Sequence, residues 1–440
     1  MKIMFISLGC DKNLVDTEEM LGILGADGYA FTNDETEADV IVINSCCFIN
    51  DAKEESINTI LEMAEYKTSG NLKALVVTGC LAERYKEEII KEIPEVDAII
   101  GTSSYDKIAE AIKVALEGKQ VQQFLELNRL PSLTTNRMVT TGGYYAHLKI
   151  AEGCDKHCTY CIIPKIRGKY RSVPMEQLIK QAEYLVSVGV KELILVAQET
   201  TVYGIDLYGK KSLHILLKEL CKISGIKMIR IMYCYPEEIY DELIDTIASE
   251  KKICNYLDMP IQHCSDEILK RMGRRTTKAE LIAIVNKLRK SIPDIVLRTT
   301  LITGFPGETE EHHQEMMEFV DEMEFERLGV FTYSPEEGTP AAMLDNQLDE
   351  DIKAQWRDDI MELQQEIAFD ISESMIGREL IVMIEGKIAG EPAYVGRTYM
   401  DAPGIDGNIF VNTGEELMSG DLVKVKVIGA NEYDLIGEIL

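Results

Sequence analysis

At 440 residues the chain exceeds the size at which one hydrophobic core usually keeps growing, so two or three domains are expected. The 75 acidic residues against 46 basic ones leave a formal charge of −29, a field that repels phosphate backbones and attracts basic partners. No window approaches the roughly 18 consecutive apolar residues of a membrane-spanning helix, and the start MKIMFISLGCDKN turns polar too soon for a secretory signal. A cytoplasmic protein with no membrane partner is expected, and in that reducing setting the eleven cysteines read as metal ligands, catalytic thiols or small core residues.

Residues 1–130 alternate short β-branched runs with amphipathic stretches, the pattern of a parallel sheet covered by helices in an α/β fold. Strands are expected at Lys2 to Leu8, Val40 to Asn44 and Ala74 to Thr78, with helices over Asp51 to Tyr66 and Ala82 to Glu92. Each strand runs straight into a cysteine: Cys10, Cys46 and Cys80. Ligands in open α/β sheets gather beyond the carboxyl ends of the strands, so the three thiols are placed to converge although more than thirty residues separate each from the next. The alternative is three small buried hydrophobes at strand ends.

A polar linker is expected at 131–143, most clearly from Thr134 to Gly143. Six β-type runs follow: Tyr144 to Ala151, Glu192 to Gln198, Lys227 to Cys234, Tyr256 to Gln262, Val296 to Thr303 and Leu328 to Ser334. Helical spacing between them is clearest in Glu176 to Val188 and Lys278 to Arg289. Six β/α units in a row argue for a complete or partial parallel barrel over 144–372, its chemistry at the strand carboxyl ends. Ile352 to Met375 reads as one long helix that leaves the barrel. Residues 373–440 then show short alternating runs such as Glu379 to Ile384 and Leu422 to Ile428, punctuated by Gly404, Gly407, Gly414 and Gly420. That pattern predicts a small all-β barrel, suited to binding a substrate.

Cys154, Cys158 and Cys161 follow the first barrel strand with the spacing C-x-x-x-C-x-x-C, in EGCDKHCTYCIIPKIRG. Three thiolates from one loop can ligate three irons of a [4Fe–4S] cube and leave the fourth free for a small molecule. A structural zinc site takes four protein ligands; no fourth cysteine is close, and His157 is the remaining candidate. Gln198 and Glu199 end the second strand and Arg298 lies in the fifth, where they could bind the polar parts of a cofactor or make ordinary strand-end hydrogen bonds. The GFPGE turn, Gly304 to Glu308, admits either close backbone approach to a ligand or a tight strand-to-helix turn. Cys221, Cys234, Cys254 and Cys264 lack spacing partners and read as core residues; His312 and His313 are expected on a solvated helix face.

The cysteine loop resembles that of the radical S-adenosylmethionine superfamily, which carries an aromatic residue before the last cysteine, here Tyr160. The resemblance implies that the methionyl amine and carboxylate of S-adenosylmethionine chelate the open iron, and that reductive cleavage of the sulfonium yields a 5'-deoxyadenosyl radical. LGCDKNLVDTE (8–18), NSCCF (44–48), TGCLAERY (78–85), YLDMPIQHCSDEILKRMGR (256–274), TTLITGFPGET (299–309) and FTYSPEEGTPAA (331–342) are similar to the methylthiotransferases, over essentially the whole chain. The last segment resembles a TRAM domain. This likeness implies that Cys10, Cys46 and Cys80 hold a second [4Fe–4S] cluster whose open iron carries the sulfur or methylthio group, that no side chain beyond the cluster ligands is catalytic, and that a reductase or flavodoxin donates electrons. Cys46 and Cys47 are adjacent where the family more often has one cysteine and a small residue; alignment on Asn44-Ser45 favours Cys46.

LGCDKN is similar to the branch that modifies a ribosomal protein, which implies an aspartate β-carbon of small-subunit ribosomal protein twelve as acceptor. From Ile371 onward twelve residues are acidic and five basic, a formal charge of −7. An RNA-binding module would show a basic stripe to neutralise phosphates, whereas an acidic one suits a basic ribosomal protein. The alternatives are a modified adenosine beside the anticodon of transfer RNA and, in a different class, a non-catalytic iron–sulfur electron carrier or adaptor.

Overall fold

The structure is a computed structural model that describes residues 1–133 and 136–440. Thr134 and Thr135, within the polar linker expected at 131–143, lie outside the described residues. The first sheet consists of β1 (Lys2–Ser7), β2 (Ala30–Phe31), β3 (Val40–Ser45), β4 (Ala74–Gly79), β5 (Ala98–Ile100) and β6 (Val121–Gln123), all parallel in the order 2-1-3-4-5-6. β3 and β4 are buried along their whole length, as strands covered on both faces must be, which is why they read as unbroken apolar runs. Strand order reverses between β1 and β3, and such a reversal opens a crevice at the carboxyl ends. The single helix expected over Ala82 to Glu92 is two, Cys80–Arg84 and Lys86–Glu92, broken where Tyr85 leaves helical geometry (φ −118°, ψ 32°).

The central sheet is β7 (Tyr145–Lys149), then β10 (Glu192–Val196), β11 (Met228–Ile231), β12 (Ile253–Asp258), β13 (Val296–Thr303) and β14 (Arg327–Thr332), neighbours in chain order and all parallel. It is the expected partial barrel of six strands. A two-stranded ribbon, β8 (Ala151–Glu152) against β9 (Arg171–Ser172), brackets the cysteine loop. Side chains alternate across the sheet: Leu193 and Leu195 join the outer core with the helices, while Ile194 and Val196 face inward. The long helix, Glu350–Ser374, does not leave the barrel as expected but lies along β13 and β14, burying Ile360 and Ile367. Covering the edge strand removes a row of unpaired backbone groups from solvent.

That packing also overturns the expectation for His313. On the helix Glu310–Met323 it falls in register with Met316, Val320 and Met323, on the stripe that faces Glu350–Ser374. It is buried, with its ring stacked on Trp356 (5.1 Å, 7°) and Nε2 3.2 Å from Asp359 Oδ2.

The C-terminal segment is a closed barrel, β15 (Glu379–Lys387), β16 (Ala393–Arg397), β17 (Ile409–Asn412), β18 (Leu422–Asn431) and β19 (Asp434–Ile439), in the order 15-16-17-19-18. Its core is continuous with the inward face of the central sheet through Ile194, Val196, Met228, Cys254, Tyr256 and Val296. Buried ion pairs fix the contact: Glu192 takes both Arg230 (3.0 Å) and Arg397 (2.8 Å), and Asp401 takes Arg327 (2.6 Å). Part of the segment's acidity is therefore consumed in docking rather than displayed. Among the described residues no helix is long and apolar enough to cross a membrane.

Candidate active site at the seam of two sheets

Three of the six singled-out cysteines follow a glycine that has little alternative. Gly9, Gly79 and Gly153 have φ of 86°, 90° and 77°, in the left-handed region. A Cβ on each would lie 2.7 Å from Cys46 Cβ, 2.4 Å from Asn44 Oδ1 and 2.2 Å from the Lys169 carbonyl, respectively. The strand-end loops can come together only because these positions carry no side chain.

Cys10 caps the helix Asp11–Ala26 beyond β1, Cys46 follows β3, and Cys80 opens the short helix beyond β4. Asn13 ties the three loops: its Nδ2 donates to the carbonyls of Leu8 and Ser45, each at 3.0 Å, and its Oδ1 lies 3.8 Å from Cys80 Sγ. Replacing Asn13 by alanine, which strands these buried carbonyls, is expected to cost the metal-free chain about 2 kcal/mol in a urea titration. Cys47 lies in the apolar cluster with Ile60, Met63 and Cys80, while Cys46 stands against Gly9.

In the central sheet Cys154, Cys158 and Cys161 lie in the loop between β8 and β9. Thr159 anchors it, its N–H donating to the Met272 carbonyl (2.9 Å) and its hydroxyl to the Arg271 carbonyl (2.9 Å). Cys158 Sγ is 3.5 Å from the Tyr235 hydroxyl, and the Tyr160 ring meets Phe305 edge-on at 6.5 Å. Phe305 belongs to the GFPGE turn, where Glu308 accepts from the Phe305 N–H (2.9 Å), so that segment serves as a tight turn supporting the loop.

The strand-end residues divide. The charge of Glu199 is felt by Cys154; burial lifts its own carboxyl to about 7, its Oε1 accepts from the Thr201 N–H (2.8 Å), and its buried Oε2 has no partner among the described residues. Gln198 Nε2 donates to Glu152 Oε1 (2.9 Å). Arg298 is engaged elsewhere, bound to Asp258 (2.8 Å) and to Asp406 of the C-terminal barrel (3.2 Å).

Between the two cysteine sets runs a buried charge network absent from the sequence reading. Arg167 spans from Asp16 (2.8 Å) and Glu152 (3.3 Å) to Asn13 and to Cys80 Sγ (3.5 Å), and Lys149 pairs with the same two carboxylates. Arg167 carries no spacing signal, being one basic residue in a polar loop; only the fold shows that it reaches the other sheet.

Known proteins add the family. Residues 2–101 match the family described as uncharacterized protein family UPF0004, 148–320 the Radical SAM superfamily and 376–440 the TRAM domain. The chain is 66% identical over 437 residues to a protein of Lachnoclostridium phytofermentans named ribosomal protein uS12 methylthiotransferase RimO, covering 99% of both. Proteins of that name from Clostridium perfringens and Clostridioides difficile are each 51% identical, covering 100% of this chain and 98% and 99% of theirs. The chain belongs to the RimO methylthiotransferase family. Among solved structures it is similar to the radical S-adenosylmethionine methyltransferase TsrM from Kitasatospora setae (TM-score 0.56, 13% identity, 78% of this chain and 77% of that one). It is also similar to the cobalamin-dependent S-adenosylmethionine radical enzyme OxsB (TM-score 0.53, 14%, 82% and 56%). At such identity the likeness is one of fold.

Membership brings with it iron–sulfur chemistry and S-adenosylmethionine, and the donor set of a RimO-type seam fits both. Burial pushes the Cys154 thiol up to about 12 and the thiols of Cys46, Cys80 and Cys161 in the same direction. Neighbouring thiols raise them further: Cys46, Cys47 and Cys10 act on Cys80, and Cys158 and Cys154 on Cys161. Such thiols stay protonated until soft metal displaces the proton. Among the described residues no three metal-binding side chains close on a single ion; a cube spreads its ligands over several irons and asks for no such convergence.

Proposed function

We propose that this chain replaces a C–H hydrogen on the β-carbon of an aspartate of ribosomal protein uS12 with a methylthio group, using two [4Fe–4S] clusters and S-adenosylmethionine. The observation that carries the reading is a set of three cysteines in the barrel loop, Cys154, Cys158 and Cys161, joined through Arg167 to the strand ends that carry Cys10, Cys46 and Cys80, in a chain 66% identical to a protein named for that reaction. In this reading the first set holds the cluster that binds S-adenosylmethionine, and the second, with Cys46 rather than Cys47, holds the auxiliary cluster. When bound, these groups supply hydrogen abstraction from an unactivated carbon and sulfur transfer, chemistry beyond any side-chain acid or base at neutral pH.

The chain's own residues bind and orient. Glu199, whose charge acts on Cys154 and whose Oε2 has no partner among the described residues, would receive the methionyl ammonium, and that cation would draw its raised carboxyl back to the ionised form. Gln198 is held by Glu152, the residue that precedes Gly153 and Cys154. Tyr160 and Phe305 wall the loop with apolar surface. Arg298 has the weaker claim to the cofactor, since both its carboxylate partners already neutralise it. We assign 1–130 to the auxiliary-cluster domain, 131–143 to a linker, 144–372 to the barrel and 373–440 to the TRAM domain. All eleven cysteines are free, which suits the cytoplasm, where a reductase or flavodoxin would reduce the clusters.

The overall charge of −29 favours a basic ribosomal protein over nucleic acid. Anaerobically reconstituted chain, reduced with S-adenosylmethionine present, is offered uS12 or transfer RNA. Mass spectrometry is expected to find the methylthio group on one aspartate of the protein. Modified RNA with unmodified uS12 would sink the assignment of the acceptor, and absence of 5'-deoxyadenosine would sink the chemistry in favour of an electron carrier.

A further inference from the structure

Lys12 is the second residue of the helix Asp11–Ala26, two places beyond Cys10 and inside the seam. It is 6% exposed, and its Nζ stands 3.3 Å from the centroid of the Tyr233 ring. Asp11, the adjacent carboxylate, is engaged elsewhere: Oδ2 accepts from the Tyr233 hydroxyl (3.1 Å) and Oδ1 lies 3.6 Å from His147 Nε2. Among the described residues Lys12 forms no ion pair, whereas Lys149 and Arg167 in the same seam are each held by two carboxylates. An ammonium has three donors, and removing it from water without an anionic acceptor is costly. The Tyr233 ring and hydroxyl and the nearby Asp11 charge return part of that cost, but among the described residues no carboxylate oxygen lies within ion-pair distance of Nζ.

The ring is held there against its own backbone preference. Tyr233 has φ of 61°, a region that a bulky side chain avoids. Asp258 Oδ2 accepts from its N–H (3.0 Å), and its carbonyl accepts from the Thr200 N–H (3.1 Å) and hydroxyl (3.1 Å). Strain of this kind persists where the surroundings over-determine it, and it gathers at ligand sites. Two residues on, Tyr235 touches Cys158. One three-residue stretch beyond β11 therefore reaches the helix of Cys10 through Tyr233 and the barrel loop through Tyr235. Lys12 lies against the Tyr233 end of that stretch, two places from the exposed Cys10.

We propose that Lys12 is a specificity-determining residue that receives the β-carboxylate of the target aspartate, donating to its oxygens and so fixing the adjacent β-carbon between the two sets of thiols. The inference rests on the aspartate reading above. An unpaired, desolvated ammonium accepts a carboxylate and discriminates against its amide, which returns no charge.

The test compares holoenzyme of wild type, K12M and K12R, each in the presence of S-adenosylmethionine, for binding of a uS12 loop peptide carrying the aspartate or asparagine in its place. Wild type is expected to bind the aspartate peptide at least about tenfold more tightly. K12M should bind both peptides equally weakly with full iron and sulfide content, and K12R should retain most of the preference. A K12M chain that still prefers aspartate overturns the proposal, as does a K12R chain that has lost the preference. A K12M chain that cannot load its clusters assigns Lys12 to the architecture of the loop and overturns it too. Wild-type chain that methylthiolates transfer RNA and not uS12 defeats the aspartate reading itself, a distinct result.

Discussion

If the chain holds the two clusters proposed, replacing Cys158 by alanine is expected to abolish 5'-deoxyadenosine formation and to remove about half of the iron, the auxiliary cluster remaining in place. Cys158 lies between Cys154 and Cys161 in a loop whose path is set from outside: Thr159 is bonded through both its N–H and its hydroxyl to the 271–272 backbone, and Gly273 approaches the His157 carbonyl so closely that a Cβ would sit 3.0 Å from it. A loop held in this way does not shift to offer another donor. The Tyr235 hydroxyl, 3.5 Å from the lost sulfur, is buried and its phenol is pushed well above its ordinary value, by burial first and by Cys158 second, so it makes a poor anionic ligand. The fold should survive, because trimming one small buried side chain costs only about 1–2 kcal/mol. Iron analysis, the electron paramagnetic resonance of the reduced protein and chromatography of the nucleoside product check this together. Undiminished 5'-deoxyadenosine would remove the barrel loop from the chemistry.

The cysteines were legible because strand carboxyl ends are: Lys2–Ser7, Val40–Ser45 and Ala74–Gly79 are apolar runs of six, and each thiol follows its strand within three residues. The six central strands were legible for the same reason. β2, β5 and β6, of two or three residues, are too short to show a period of two, and they went unseen. His313 was misplaced because a histidine on a charged helix reads as solvated until the partner helix supplies Trp356. Arg298 is strand-internal and polar, and its pairing with Asp406 of the docked C-terminal barrel has no counterpart in local sequence. Seam residues such as Asp16, Lys149, Glu152 and Arg167 were illegible in principle. Their meaning lies in pairing across as many as 151 positions of sequence, and neither local spacing nor composition carries that information.

Substituting methionine for Arg167 is expected to destabilise the metal-free chain by about 3–5 kcal/mol, the scale for breaking a buried ion pair by removing one partner. The network is balanced as it stands: two cations, Arg167 and Lys149, against two carboxylates, Asp16 and Glu152, all buried. Burial alone would raise Glu152, but Lys149 and Arg167 outweigh it and hold its carboxyl at about 2. Without the guanidinium one negative charge is left unmatched in the seam. A folded-state carboxyl raised above its unfolded value contributes stability that is present at low pH and lost as pH rises, so the deficit of R167M should be largest near neutrality and shrink toward pH 5 as one carboxylate takes a proton. Lysine in its place restores the charge but not the fork that spans Asp16, Asn13 and Cys80, and should recover only part of the loss. Urea titrations at neutral pH and at pH 5 measure all three chains; a deficit below about 1 kcal/mol, or one that grows on acidification, would mean that the seam is not held by this network. A confirmed deficit carries a structural consequence: the residue that joins the sheets extends from the loop of one cysteine set to the sulfur of the other, so the spacing of the two sets is fixed by the same bonds that hold the domains together.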